Sequence, residues 1–119
     1  MNRKQIAKEF AGMVIKRFGD KIEKIILFCS VARGDYNKDS DIDVLVVVKE
    51  ESFKMQRMIS EIVINILLNK EEYISAKTLS VGEYEFQKKV GSGFFRSISK
   101  EGILIGRSGD FDSQSGIKT

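Results

Sequence analysis

The sequence predicts an α/β protein in which helices pack on a sheet of three to four strands. Two stretches, 6–18 and 55–66, repeat apolar residues at helical spacing. Three others, 25–29, 42–48 and 73–79, are short runs rich in apolar or β-branched residues, bounded by turn-forming or polar sequence. The two kinds of segment alternate along the chain, which is the pattern of helices layered on a sheet.

Taken in order, Asn2 and Gln5 have the spacing of a capping box. Ile6, Phe10, Met13, Val14 and Phe18 then line one helical face, and Gly19 is placed to stop it. The run 25–29 is continuously apolar, as expected of a strand covered on both sides. Residues 35–40 are polar and turn-forming, and 42–48 resume as a β-branched strand. In 52–68, Met55, Met58, Ile59, Ile62, Val63 and Ile66 form an amphipathic face. These methionines and the phenylalanines read as core or partner-facing surface. A third strand, 73–79, ends at Ser80, which with Glu83 forms a second capping box. Gly91, Ser92 and Gly93 interrupt the helix that follows. Phe94, Phe95 and Ile98 continue an apolar face, Gly102 stops it, and 103–105 add a short strand. The reading is one domain over 1–105 and a mobile, Gly/Ser/Asp-rich tail over 106–119.

Composition narrows the class. With 42% hydrophobic and 31% charged residues in 119, the chain is that of an ordinary globular domain. The single cysteine, Cys29, allows no internal disulfide, and the charged N-terminus has no signal-peptide core. A cytoplasmic protein with no membrane association is expected. The net charge of +3 suits anionic nucleotides but falls far short of a basic stripe, which argues against nucleic acid as partner. Lys16, Arg17, Lys21 and Lys24 read as a solvated basic face.

The chemistry concentrates in 28–48. A strand ends at Cys29 and Ser30, a polar excursion follows, and the next strand opens with Asp41 and Asp43. Alternate strand residues face the same side, so both carboxylates point one way at the mouth of an apolar strand. Two close anions there repel and lose hydration unless a cation lies between them. Mg²⁺, which favours one or two carboxylates plus phosphate oxygens, fits that demand. A calcium loop does not. Asp35, Asn37 and Asp39 have its first spacings, but Ser40 and Val46 stand where it requires glycine and glutamate.

This segment resembles the signature of the nucleotidyltransferase superfamily related to DNA polymerase β, in its minimal, single-domain form. The family pattern is glycine-serine, ten residues, then Asp-x-Asp. Here Ser30, ten residues and Asp41-Ile42-Asp43 reproduce it, with Ala32-Arg33-Gly34 and Ser40 also in agreement. Cys29 stands where the family has glycine. The resemblance implies a nucleotidyltransferase-like core with a mixed sheet of three to four strands flanked by helices. It further implies a phosphate-binding turn from Cys29, Ser30, Arg33 and Ser40, with Asp41 and Asp43 as catalytic metal ligands for Mg²⁺ and a nucleoside triphosphate, ATP foremost. Minimal members pair with small helical proteins of the HEPN kind, and some act as antitoxins that adenylylate a toxin. Such a partner is therefore implied here, with transfer to a hydroxyl on it.

Active members carry a third acid on the strand after the long helix. The segment 73–79 holds none. Glu61, Glu71 and Glu72 read as solvated charges, and Lys77 can project toward the site. The chain also contains no histidine to serve as general base. The alternative expectation is accordingly a catalytically weak or inactive nucleotide-binding subunit acting with the helical partner.

Overall fold

The computed structural model describes residues 2–28 and 41–107. Helix α1, Arg3–Phe18, begins at the expected capping box: the Asn2 side chain accepts from the Gln5 amide while the Gln5 side chain accepts from the Asn2 amide. It ends at Gly19, whose N–H donates to the Ile15 carbonyl, and a 3-10 turn, Gly19–Lys21, leads into β1, Ile22–Phe28. Strand β2, Ile42–Val48, is followed by α2, Phe53–Lys70, whose N-cap Ser52 accepts from the Met55 amide. Strand β3, Ile74–Ser80, runs directly into α3, Val81–Val90, through the Ser80/Glu83 capping box. Helix α4, Gly93–Glu101, is capped by Ser92, and β4, Ile103–Arg107, closes the described chain.

The sheet order is β3-β2-β1-β4. β1 is antiparallel to both β2 and β4, whereas β2 and β3 are parallel, as α2 crosses over between them. The sheet is therefore mixed and four-stranded. On one face α1 and α2 pack a large apolar core, with Ile25, Leu27, Val44, Val46 and Ile74 from the strands meeting Phe10, Val14, Ile59 and Ile66. On the other, α3 and α4 cover a smaller cluster of Ile26, Phe28, Leu45, Val47, Tyr84 and Ile98.

The structure extends two expected strands. β1 starts at Ile22, three residues before the continuous apolar run, because exposed Glu23 breaks that run while the backbone keeps its pairing. β4 continues to Arg107, beyond the expected limit of 105, and Gly106 is buried opposite Ile25. A Cβ at Gly106 would sit 2.7 Å from Ile15 Cδ1, so the glycine lets α1 lie close on the edge strand. Glycine thus reads as tail composition in sequence and works as a packing residue in the fold. The expected tail beyond Arg107 lies outside the described residues.

Candidate active site

The mouth of β2 places Asp43 in the strand, half-buried, with exposed Asp41 immediately before it. The Ile42 amide donates to the Tyr73 carbonyl at 3.2 Å, which carries the β2–β3 ladder up to this point. Continuing the alternation of β2 puts Asp41, Asp43, Leu45 and Val47 on the face covered by α3 and α4. The intervening Ile42, Val44 and Val46 are fully buried on the opposite face. One strand thus feeds the main core with its even positions, while its odd ones supply the candidate site at the mouth and the smaller core further in.

The neighbours of Asp43 follow from register. Phe28 on β1 lies opposite it on one side and Ser75 on β3 on the other. Ser75 is half-buried and Lys77 exposed, two positions further along the same face. Phe28 packs edge-on against Phe94 of α4, with ring centroids 5.6 Å apart, and the Lys77 ammonium lies 5.2 Å from the Phe94 ring centroid. Asp43 therefore has Phe28 beside it on β1 and Ser75 beside it on β3, with Lys77 two residues further along β3.

No described acid completes the pair. Among the described residues no group of three or more His, Cys, Asp or Glu is arranged to hold a metal ion. Exposed Glu61 lies on α2, which packs on the other face of the sheet, and exposed Glu71 caps that helix. Glu72, expected as a solvated charge, is instead only partly exposed and accepts from Arg3 Nε at 3.0 Å, tying the start of α1 to the approach to β3. Lys24, expected within a solvated basic face, lies with its ammonium 4.3 Å from the Tyr84 ring centroid. Periodicity shows neither contact, because each depends on residues distant in sequence.

Cys29, Ser30, Arg33 and Ser40, the expected phosphate-binding residues, lie outside the described residues. The structure does fix both ends of that connection. The flanking described residues are Phe28, the end of β1, and Asp41, itself one of the two carboxylates. A groove of about 360 Å³ between α2 and β3, lined by Ile59, Val63, Tyr73 and Ala76 among others, opens on the main-core side of the sheet and is separate from this cluster. No helix among the described residues is long and apolar enough to cross a membrane.

Residues 7–104 match the profile of the nucleotidyltransferase domain family. A protein of Methanocaldococcus jannaschii named "Putative protein adenylyltransferase" is 32% identical over 111 residues, covering 88% of this chain and 99% of that protein. The solved structure of a "putative nucleotidyltransferase" from Sulfolobus solfataricus is similar with a TM-score of 0.56 at 27% identity, covering 87% of this chain and 78% of the other. The fold is also shared with a chain from the complex of the tri-AMPylated Shewanella oneidensis HEPN toxin with its MNT antitoxin, at a TM-score of 0.53, 15% identity, and coverage of 97% and 82%. The Asp-x-Asp strand, its flanking mixed sheet and these similarities agree, and the chain belongs to the nucleotidyltransferase domain family.

Proposed function

We propose that the chain binds a magnesium–nucleoside triphosphate, ATP foremost, and transfers its nucleotidyl group to a hydroxyl on a partner protein. The observation that carries this is the alternation at the mouth of β2, which sets Asp41 and Asp43 on one face while their neighbours are buried in the core. Two carboxylates at a partly solvated strand end suit a hard divalent cation that retains positions for phosphate oxygens. Asp41 and Asp43 would hold it. When bound, the ion neutralises charge on the phosphates and on the leaving group.

The residues of the chain contribute position and charge. Ser30, Arg33 and Ser40, with the backbone around Cys29, would hold the phosphates, as serine hydroxyls, amides and an arginine fork commonly do. The acceptor oxygen attacks the α-phosphorus, the bond from that phosphorus to the bridging oxygen of the β-phosphate breaks, and pyrophosphate leaves. The hydroxyl proton passes to solvent. In-line placement of the acceptor is then the chief requirement on the fold.

A small helical partner of the HEPN kind is the acceptor this reading favours. It rests on the likeness to the toxin–antitoxin complex and on unusually exposed apolar side chains, including Phe53 at 85% and Leu68 at 75%. A second reading has its own observation. Ser75, not an acid, pairs with Asp43 from β3, so a second metal lacks a carboxylate there and the chain would bind nucleotide while turning over weakly. One experiment separates the two. The purified chain is incubated with radiolabelled ATP and Mg²⁺, with and without a candidate small helical protein of the HEPN kind. Label on the partner supports transfer. Nucleotide binding without label or released pyrophosphate supports the binding subunit, and no nucleotide binding at all overturns both.

A further inference from the structure

We infer that Lys77 is a phosphate-binding residue of this site, its ammonium taking polyphosphate oxygens of the bound nucleoside triphosphate on the face that carries Asp41 and Asp43. The inference rests on the nucleotide-site reading above and adds to it a cation on β3.

Register supplies the first support. Ser75 faces Asp43, and Lys77 is two residues further along the same face, opposite Leu45. That is about 7 Å along the strand and one strand spacing across, about 5 Å, from the aspartate. The second support is where the side chain goes. β3 is an edge of the sheet, where a lysine serves to discourage pairing with another chain. The direction Lys77 takes adds a second role to that one. Its Nζ lies 5.2 Å from the ring centroid of Phe94, which packs on Phe28, and Phe28 belongs to β1. Because β2 lies between β3 and β1, the lysine leans inward toward the strand of Asp43.

The third support is chemical. A triphosphate carries more negative charge than one divalent ion neutralises, and Ser75 brings no carboxylate to hold a second. A lysine is a compact point charge with three donors, well suited to phosphate oxygens. The face of an aromatic ring can hold such an ammonium in place while leaving donors free to bind a ligand.

Lys24 is the internal control. It lies on the same sheet face with its ammonium over the Tyr84 ring, but opposite Val47 and four residues before Phe28, away from Asp43. The test compares Lys77→Met, Lys77→Arg and Lys24→Met with the unaltered chain by calorimetric titration of Mg-ATP and of magnesium tripolyphosphate, with melting temperatures alongside. Loss of one charge-assisted contact predicts about tenfold weaker binding of both ligands to Lys77→Met, partial recovery in Lys77→Arg, and no change in Lys24→Met. Unchanged affinity in Lys77→Met overturns the inference. So does an equal loss in both Met variants accompanied by lowered melting temperatures, which marks a structural lysine. A loss for ATP alone, with tripolyphosphate unaffected, also overturns it. An unaltered chain that binds neither ligand overturns the nucleotide-site reading itself, a failure distinct from the other three.

Discussion

The two faces of the sheet are built from the same strands and serve opposite ends. The face under α1 and α2 is apolar along the described length of β2, from Ile42 through Val44 and Val46 to Val48, each with no exposed surface. The face under α3 and α4 is apolar in its inner part on β2, at Leu45 and Val47, turns polar toward the mouth at Asp43 and Ser75, and carries Lys77 on β3 level with Leu45. The lesson is a division of labour by parity. Stability is drawn mainly from one face, so the end of the other can carry groups that cost desolvation energy and repel each other.

The comparison breaks most visibly at its apolar side. Phe10 is fully buried in the main core, and Phe10→Ala is expected to cost about 3–5 kcal/mol by losing buried area and leaving a cavity. Denaturant unfolding checks this, and a loss under about 1 kcal/mol would show that this face does not dominate stability. The polar side should respond inversely. Replacing Asp41 and Asp43 together with Asn is expected to weaken Mg-ATP binding about a hundredfold while the melting temperature holds or rises, since anion repulsion is relieved. Calorimetry and thermal unfolding on the same preparation read both effects.

Gly106 tests how closely the main-core face is packed at its β4 edge. Gly106→Val brings a side chain against Ile15 and Ala11 and is expected to destabilise by about 1–3 kcal/mol, with nucleotide affinity unchanged. A stable Gly106→Val protein would show that α1 can shift on the sheet.

The smallest effect lies outside both cores, where Glu51, after β2, meets Glu83 at the start of α3. The Glu83 carboxyl beside it, then burial, push Glu51 above the usual carboxylate range, while Glu83 is held below that range by Glu51 and by the Ser80 amide. A raised carboxyl favours the fold while protonated, and that contribution is lost as pH rises through its folded value. Glu51→Gln keeps a donor for Glu83 and removes the repulsion at neutral pH. The melting temperature is expected to rise by no more than about 1 °C at pH 7, with the difference vanishing near pH 4. A larger gain at pH 4 than at pH 7 would reverse the assignment of which glutamate holds the proton.

Much of this was legible in the chain because it depends on near neighbours. The capping boxes at Asn2/Gln5 and Ser80/Glu83, the stop at Gly19 and the alternation through Asp41 and Asp43 involve residues at most a few positions apart, where backbone geometry dictates who meets whom. The resemblance through Ser30 and Asp41-Ile42-Asp43 likewise needed only a count along the sequence. Tertiary structure alone decided the rest. It paired β3 with β2 and set Ser75 beside Asp43, joined Arg3 to Glu72 across 69 positions, buried Gly106 under α1, and turned Lys77 inward over Phe94. No local pattern encodes these meetings. They follow from strand order and from burial of two apolar sheet faces, which act on the whole chain at once.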